Sequence, residues 1–375
     1  MVGMEENFTQ WACDPKRTLE ERFGAQLLIE MTDAPWKKKH GIANPVDYQV
    51  EQLWKKERSL DPTYQPRYTR QDAGRAEEML PDCHELHQGY FDDRPLRDLS
   101  ILRFCPPLSS LELRNAEILD WSLLRTQPGL KKVVITDRKA RDLRPLGDLP
   151  LLETLTLIPR APWPDLRGLE KLSNLRDLTY YGNILALTAI PHLASLRSAK
   201  ISHNGSYKLP VREVGDLPDM PELRRLLLDN TAELHGIERY DQLLNLEIYG
   251  YYTDLTPLAS LRNLTHLILS GGEYPTVAPI ACQPALRKVT LRIEFPPDLT
   301  PLADAPRLHE IALEISPIVP PELSTLNSLC NPWTEEFVAT PPRSVGPLRL
   351  IVGDDEDRKN KVSAAIPRDW GDDHE

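Results

Sequence analysis

Leu108-Ser109-Ser110-Leu111-Glu112-Leu113 is the first of ten copies of one phrase: an aliphatic residue, two others, an aliphatic, one other, an aliphatic. The next copies read Leu130-Lys131-Lys132-Val133-Val134-Ile135 and Leu152-Glu153-Thr154-Leu155-Thr156-Leu157, and further copies start at Leu175, Leu196, Leu223, Leu243, Leu264, Leu286 and Leu308. Successive starts lie 22, 22, 23, 21, 27, 20, 21, 22 and 22 residues apart. Side chains alternate across a strand, so the aliphatics share one side and the interleaved residues the other. One strand per coil cannot bury its apolar side alone. A period in the low twenties therefore predicts stacked coils with a continuous core.

A second phrase closes many coils 11 to 14 residues after the strand phrase begins: Leu143-Arg144-Pro145-Leu146, Leu166-Arg167-Gly168-Leu169, Leu255-Thr256-Pro257-Leu258, Val277-Ala278-Pro279-Ile280 and Leu299-Thr300-Pro301-Leu302. Proline fixes φ and carries no N–H, which suits a short 3₁₀ turn or extended segment on the convex side and forbids a central strand. The 35 prolines in 375 residues are thus a repeat feature and not a sign of disorder.

Together the phrases from Asp254 to Leu269 resemble the 22-residue repeat of internalin-like proteins and of the phosphatase-regulatory-subunit class of leucine-rich repeats. The resemblance covers a little over half of the chain. It implies an α/β leucine-rich repeat solenoid, with a parallel sheet on the concave face and short 3₁₀ or extended convex segments. It also implies a bacterial protein that works by binding other proteins and performs no chemistry of its own. One departure is clear: the position that family fills with a ladder Asn is Asn183 and Asn204 here, but Ala116, Arg138, Arg160, Thr231, Tyr251, Gly272, Glu294 and Ser316 elsewhere. Irregular turns are expected along that edge.

The chain of 375 residues carries a net charge of −11. That argues against a broad nucleic-acid footprint, which needs concentrated basic surface, and favours basic or neutral protein partners. Five widely spaced cysteines, with no CxxC pair, read as free thiols in a reducing compartment. The first residues lack a basic segment followed by an apolar run, and no apolar run reaches the length of a membrane span. A cytoplasmic protein without membrane or nucleic-acid partners is expected.

Residues 1–95 read as a helical N-terminal capping region, residues 96–316 as the solenoid, 317–352 as a C-terminal cap and 353–375 as an acidic mobile tail. Thr18-Leu19-Glu20-Glu21 is a capping box, followed by Leu19, Phe23, Leu27, Leu28 and Met31 on one helical face. A second helix is expected from Asn44-Pro45, and a weaker one over Thr69 to Leu80 that ends at Pro81. Leu96-Arg97-Asp98-Leu99-Ser100-Ile101 matches the strand phrase only 12 residues before Leu108 and reads as an edge strand. Leu348 to Val352 reads as a final strand. The stretched coil between Leu196 and Leu223 places an insertion around Asn204 to Pro210.

Catalytic signals are weak. Cys83-His84-x-x-His87 has no second cluster at zinc spacing, and no phosphate loop, nucleophile elbow or HExxH is present. No enzyme, cofactor or metal is expected. Aromatic residues gather in the middle coils: Tyr181, His203, Tyr207, Tyr249, Tyr251 and Tyr252, with Arg225 and Asp229 among them. Tyr and Arg recur at interface hot spots because they bury large area and keep a polar handle. These eight residues are the expected partner-binding site on the concave face; the competing reading is that the tyrosines fill gaps left by the missing Asn ladder. The function expected is a protein-interaction scaffold. An immunity or inhibitor protein that neutralises a toxin enzyme, and a secreted effector that binds host proteins, are the alternatives.

Overall fold

Each strand phrase becomes a strand that starts two residues after its first leucine, so that the second and third aliphatics point inward and the strand's own first residue points out. The computed structural model describes residues 7–39, 66, 68–88, 95–118, 120–137, 142–159, 166–182, 187–202, 211–293, 297–315 and 349–353; for 34–39, 159, 211–213, 230, 314–315 and 349–353 the backbone alone is described. The chain divides into two compact units, residues 1–207 with 218–220 and residues 208–217 with 221–375.

In the first unit, β1 (Glu85–Gln88), β2 (Ser110–Ala116), β3 (Lys132–Asp137), β4 (Thr154–Pro159), β5 (Asp177–Tyr181) and β6 (Ser198–Ser202) pair in sequence order, all parallel. Leu111, Val133, Leu155, Leu178 and Ala199 share one inward row, and Leu113, Ile135, Leu157, Tyr180 and Ile201 the next. All ten side chains are buried. In the second unit, β8 (Arg225–Glu233), β9 (Asn245–Gly250), β10 (His266–Gly271), β11 (Lys288–Ile293), β12 (Glu310–Ile315) and β13 (Arg349–Gly353) repeat this arrangement, with β7 (Val211–Glu213) added beside β8. Each buried Leu or Ile contributes about 1.5–3 kcal/mol, and the leucines that open the phrases, such as Leu108 and Leu130, and those of the closing turns, such as Leu146 and Leu258, are buried with the two rows.

The closing phrases form the predicted turns. Arg144–Asp148, Leu169–Lys171, Thr256–Ser260 and Thr300–Asp304 are 3₁₀ segments, while Ala278–Ala281 is a single α-helical turn. Proline occupies a first-turn position in the segments at 144, 256, 278 and 300, where no intrahelical donor is needed. The chain is therefore an α/β leucine-rich repeat solenoid with a helical N-terminal cap. Buried glutamines, for which the sequence offered no expectation, tie coil to coil: Gln127 accepts from Leu108 N at 2.8 Å and donates to Leu102 O at 2.9 Å, and Gln283 donates to Leu258 O at 2.5 Å.

The cap is built from α1 (Phe8–Ala12), α2 (Leu19–Lys39) and α3 (Arg70–Met79). Thr18 and Glu21 form the expected capping box at 2.8 and 3.2 Å, and Thr69 with Asp72 forms a second one. The sequence reading missed α1, a short helix capped by Asn7, whose side chain accepts from Gln10 N at 2.8 Å. Its Trp11 is fully buried against Phe8 and Phe104, with Arg17 and Arg103 over the indole at 5.2 and 5.3 Å. Gly24 lets α2 reach the first coil: a Cβ there would lie 2.6 Å from Ile101 Cγ2. The helix expected from Asn44 lies outside the described residues.

Two expectations are corrected. Leu96 to Ile101 is no edge strand: Leu96 makes a single bridge to Ala116, and Ser100–Phe104 is a 3₁₀ segment. The strand beside β2 is β1, which pairs Glu85 with Ser110, so the sheet begins inside the stretch assigned to the cap. Gln88, buried at the position that Leu113 fills in β2, breaks the aliphatic phrase there and hides the strand. At the other end the expected final strand exists as β13, parallel to β12.

Candidate functional site

The outward residues of a parallel sheet stand in rows, one rung per coil, because partners across the ladder point the same way. In the first unit the rows change character along the sheet. At β1 and β2, His87 lies between Glu85 (3.0 Å from Nε2) and Glu112 (3.2 Å from Nδ1), and Arg114 donates to Glu112. Arg114 and His87 hold the Glu112 carboxyl below the usual range in spite of its partial burial. His84 faces Pro107 O at 3.4 Å, so both histidines of the Cys83-His84-x-x-His87 motif bond to protein oxygens. Among the described residues no group of three or more His, Cys, Asp or Glu could hold a metal ion. The centre of this face is neutral, with Val134, Thr136, Thr154, Thr156, Ile158 and Thr179. It ends at Tyr181, half-buried, with Lys200 Nζ 5.5 Å from the ring centre.

The second unit carries a bonded constellation on its outward face. Tyr249 (β9), Ser270 (β10) and Arg292 (β11) stand in one row. Ser270 is small, so the two long side chains meet above it: Arg292 Nη1 donates to Tyr249 Oη at 2.9 Å, with the guanidinium 5.9 Å from the ring centre. Tyr249 in turn donates to Glu247, which lies 3.8 Å from Arg292. Burial and the Glu247 acceptor push the phenol up to about 12, so it stays a neutral donor at physiological pH. Glu247, Ile268, Thr290 and Ala312 form the adjacent row. On the first row, Lys288 pairs with Glu310 at 2.7 Å.

The structure distributes the eight expected site residues unevenly. Arg225 and Asp229 lie half-buried on β8 and are both engaged in polar or electrostatic contacts, and Tyr249 is the centre of the constellation just described. Tyr251 is 82% exposed just beyond β9. Tyr181 belongs to the first unit, and His203 and Tyr207 lie outside the described residues.

Tyr252 is a correction: it is 0% exposed and stacks on Tyr274 at 6.0 Å between ring centres, 6° from parallel. Its ring occupies the ladder edge and cannot meet a partner. For this residue burial leaves packing as its role: its ring stacks on Tyr274 one residue past the expected ladder position Tyr251. Asp137, one residue before the expected ladder position Arg138, does bond from coil to coil: it is fully buried and accepts from Ile118 N at 2.9 Å. Sequence reasoning did not single out Arg292 or Glu247 as site residues. The signal that finds them is the row itself, a long cation and a Tyr on either side of a Ser, two coils apart.

No family model matches the chain, and no curated protein matches it. Solved structures do. The internalin inlF from Listeria monocytogenes is 17% identical, with 72% of this chain and 83% of that chain covered and a TM-score of 0.49. The internalin C2 of the same organism is 18% identical over 70% of this chain and 91% of that one, with a TM-score of 0.30. The APL1 leucine-rich repeat domain is 15% identical over 62% and 68%, with a TM-score of 0.43.

Proposed function

We propose that this leucine-rich repeat protein is a non-enzymatic scaffold that binds a protein partner on the outward face of the sheet in its second unit, with Tyr249 and Arg292 as anchors. The observation that carries the reading is the Tyr249–Glu247–Arg292 constellation. An aromatic ring and a guanidinium, the two groups most enriched at interface hot spots, are already locked by each other and by a carboxylate. Little side-chain entropy remains to be lost on association, which favours affinity. Beside them Ile268 and Ala312 offer apolar contact, and exposed Tyr251 extends the surface past the strand end. Arg225 and Asp229 line the same side at β8.

The same reading places the protein in a reducing compartment, supported by Cys13, Cys83, Cys105 and Cys282, all free thiols. Burial pushes the Cys105 thiol up to about 12, which keeps it unreactive.

The test uses the full chain as bait in its native lysate, followed by titration of the purified partner. Tyr249→Ala and Arg292→Ala are each expected to cost about 2 kcal/mol of binding, roughly thirtyfold in Kd, with the melting temperature held within a few degrees. Unchanged affinity in the double variant would remove the second-unit face from the reading.

A further inference from the structure

In the second unit, β9 to β12 are each preceded by a residue whose backbone joins a ladder of its own. Thr265 N donates to Leu244 O at 2.8 Å, Arg287 N to Thr265 O at 2.9 Å and His309 N to Arg287 O at 3.0 Å. Side chains at these positions are therefore stacked one per coil, about 4.8 Å apart, along the edge where the strands start. The turns and first strand residues of three successive coils, 262–266, 284–288 and 306–310, contain Arg262, Arg287, Lys288 and Arg307 against a single acid, Glu310. Their net charge of +3 stands in a chain of net charge −11. Lys288 is paired with Glu310, whereas exposed Arg262, Arg287 and Arg307 make no ion pair among the described residues. His309 Nδ1 lies 3.3 Å from Arg307 O. His266 reports the local field: burial, then Lys288 and Arg287, lower its pKa, and Glu310 only partly opposes them.

From this geometry we infer that the strand-start edge of β10–β12 is a second binding site, independent of the Tyr249 face, and that it takes an acidic protein segment. Arg287 on this ladder, with Arg262 and Arg307 in the turns beside it, presents unpaired guanidinium groups, which match carboxylates bidentately. A nucleic acid is disfavoured on two grounds. The chain carries no broad basic surface to follow a long backbone, only this local cluster, and single strands are held on aromatic platforms, which residues 262–266, 284–288 and 306–310 lack apart from two histidines. The protein's net charge alone points to basic partners; this edge inverts that expectation locally.

The experiment measures anisotropy of a dye-labelled hexaglutamate peptide with the intact chain at low and physiological ionic strength. Binding at low salt that weakens as salt rises is expected, with at least about a tenfold loss in the Arg287→Glu, Arg307→Glu variant and a smaller loss in Arg287→Ala, Arg307→Ala. The Tyr249→Ala, Arg292→Ala protein should bind the peptide as the wild type does, which separates this site from the face proposed above. Arg125→Ala, which removes an exposed cation paired with Asp148 in the first unit, should change nothing. No binding by the wild type, an equal loss in Arg125→Ala, or displacement of the peptide by a thymidine oligonucleotide of equal charge at lower concentration would each overturn the inference.

Discussion

At Tyr251 and Tyr252, neighbours in sequence, burial divides two identical side chains into opposite roles. Tyr251 lies in solvent, while Tyr252 is enclosed and stacked on Tyr274. Tyr252→Ala should cost about 3–5 kcal/mol, since a large aromatic leaves a cavity the stack cannot refill, and Tyr251→Ala should stay within about 0.5 kcal/mol. Urea midpoints of the two variants check this, and equal effects would contradict the placement. The same edge explains why glycine recurs here. Gly271 has φ +75° and a Cβ there would meet Gly250 O at 2.3 Å, while a Cβ on Gly250 would meet Thr231 O at 2.0 Å. Neither position admits a side chain without moving backbone. The sequence showed that the Asn ladder was mostly missing; what stands along that edge was not legible, because Asp137, the Tyr252–Tyr274 stack and the glycines are three local arrangements with no residue type in common. Nor could spacing alone separate the buried tyrosine from the exposed one, since the chain leaves the regular strand at that point.

The strands β2 to β6 and β8 to β12 were readable because each repeats a pattern whose period is fixed by stacking, and ten repetitions outweigh any single odd residue such as Tyr180. Elements outside the pattern were harder. β1 shows only Leu86 as an aliphatic among four residues and takes its place from pairing with β2, not from its own propensity. Helix α1 is five residues long, too short to form alone, and depends on Trp11. Trp11→Ala removes contact with Phe8 and Phe104 and the two guanidinium groups stacked on the indole. About 3–5 kcal/mol of cap stability should be lost. Limited proteolysis would then cut residues 7–39 well before the repeats, whereas coincident cleavage would mean that cap and coils unfold as one unit. The constellation on β9 to β11 was half legible: Tyr249 stood out, and Arg292, 43 residues away, became visible as its partner only once register placed both beside Ser270.

Over the whole molecule the buried phenols set a limit on alkaline stability. Burial raises the pKa of Tyr180, Tyr252 and Tyr274, and brings Tyr249 to about 12, from an ordinary value near 10. The unfolded chain loses these protons first. Their contribution is therefore complete below about pH 10 and is lost as pH rises through the folded-state values. Thermal melts should fall steeply from about pH 10 upward, with the last part of the tyrosinate absorbance, that of the buried phenols, appearing together with loss of circular dichroism; complete ionisation of all tyrosines in a still-folded protein would refute this. Charge is also arranged on the molecular scale. In the first unit the positions before β3 to β6 hold Lys131, Glu153, Arg176 and Arg197, and in the second those before β8 to β12 hold Arg224, Leu244, Thr265, Arg287 and His309, joined within each unit by backbone bonds and none committed to the core. Such a position is fixed in space yet free in identity. Selection can rewrite it one coil at a time, and duplicating a coil would lengthen the row by one rung while the inward leucines stay as they are. A lineage could thus change what this edge recognises without passing through an unstable ancestor.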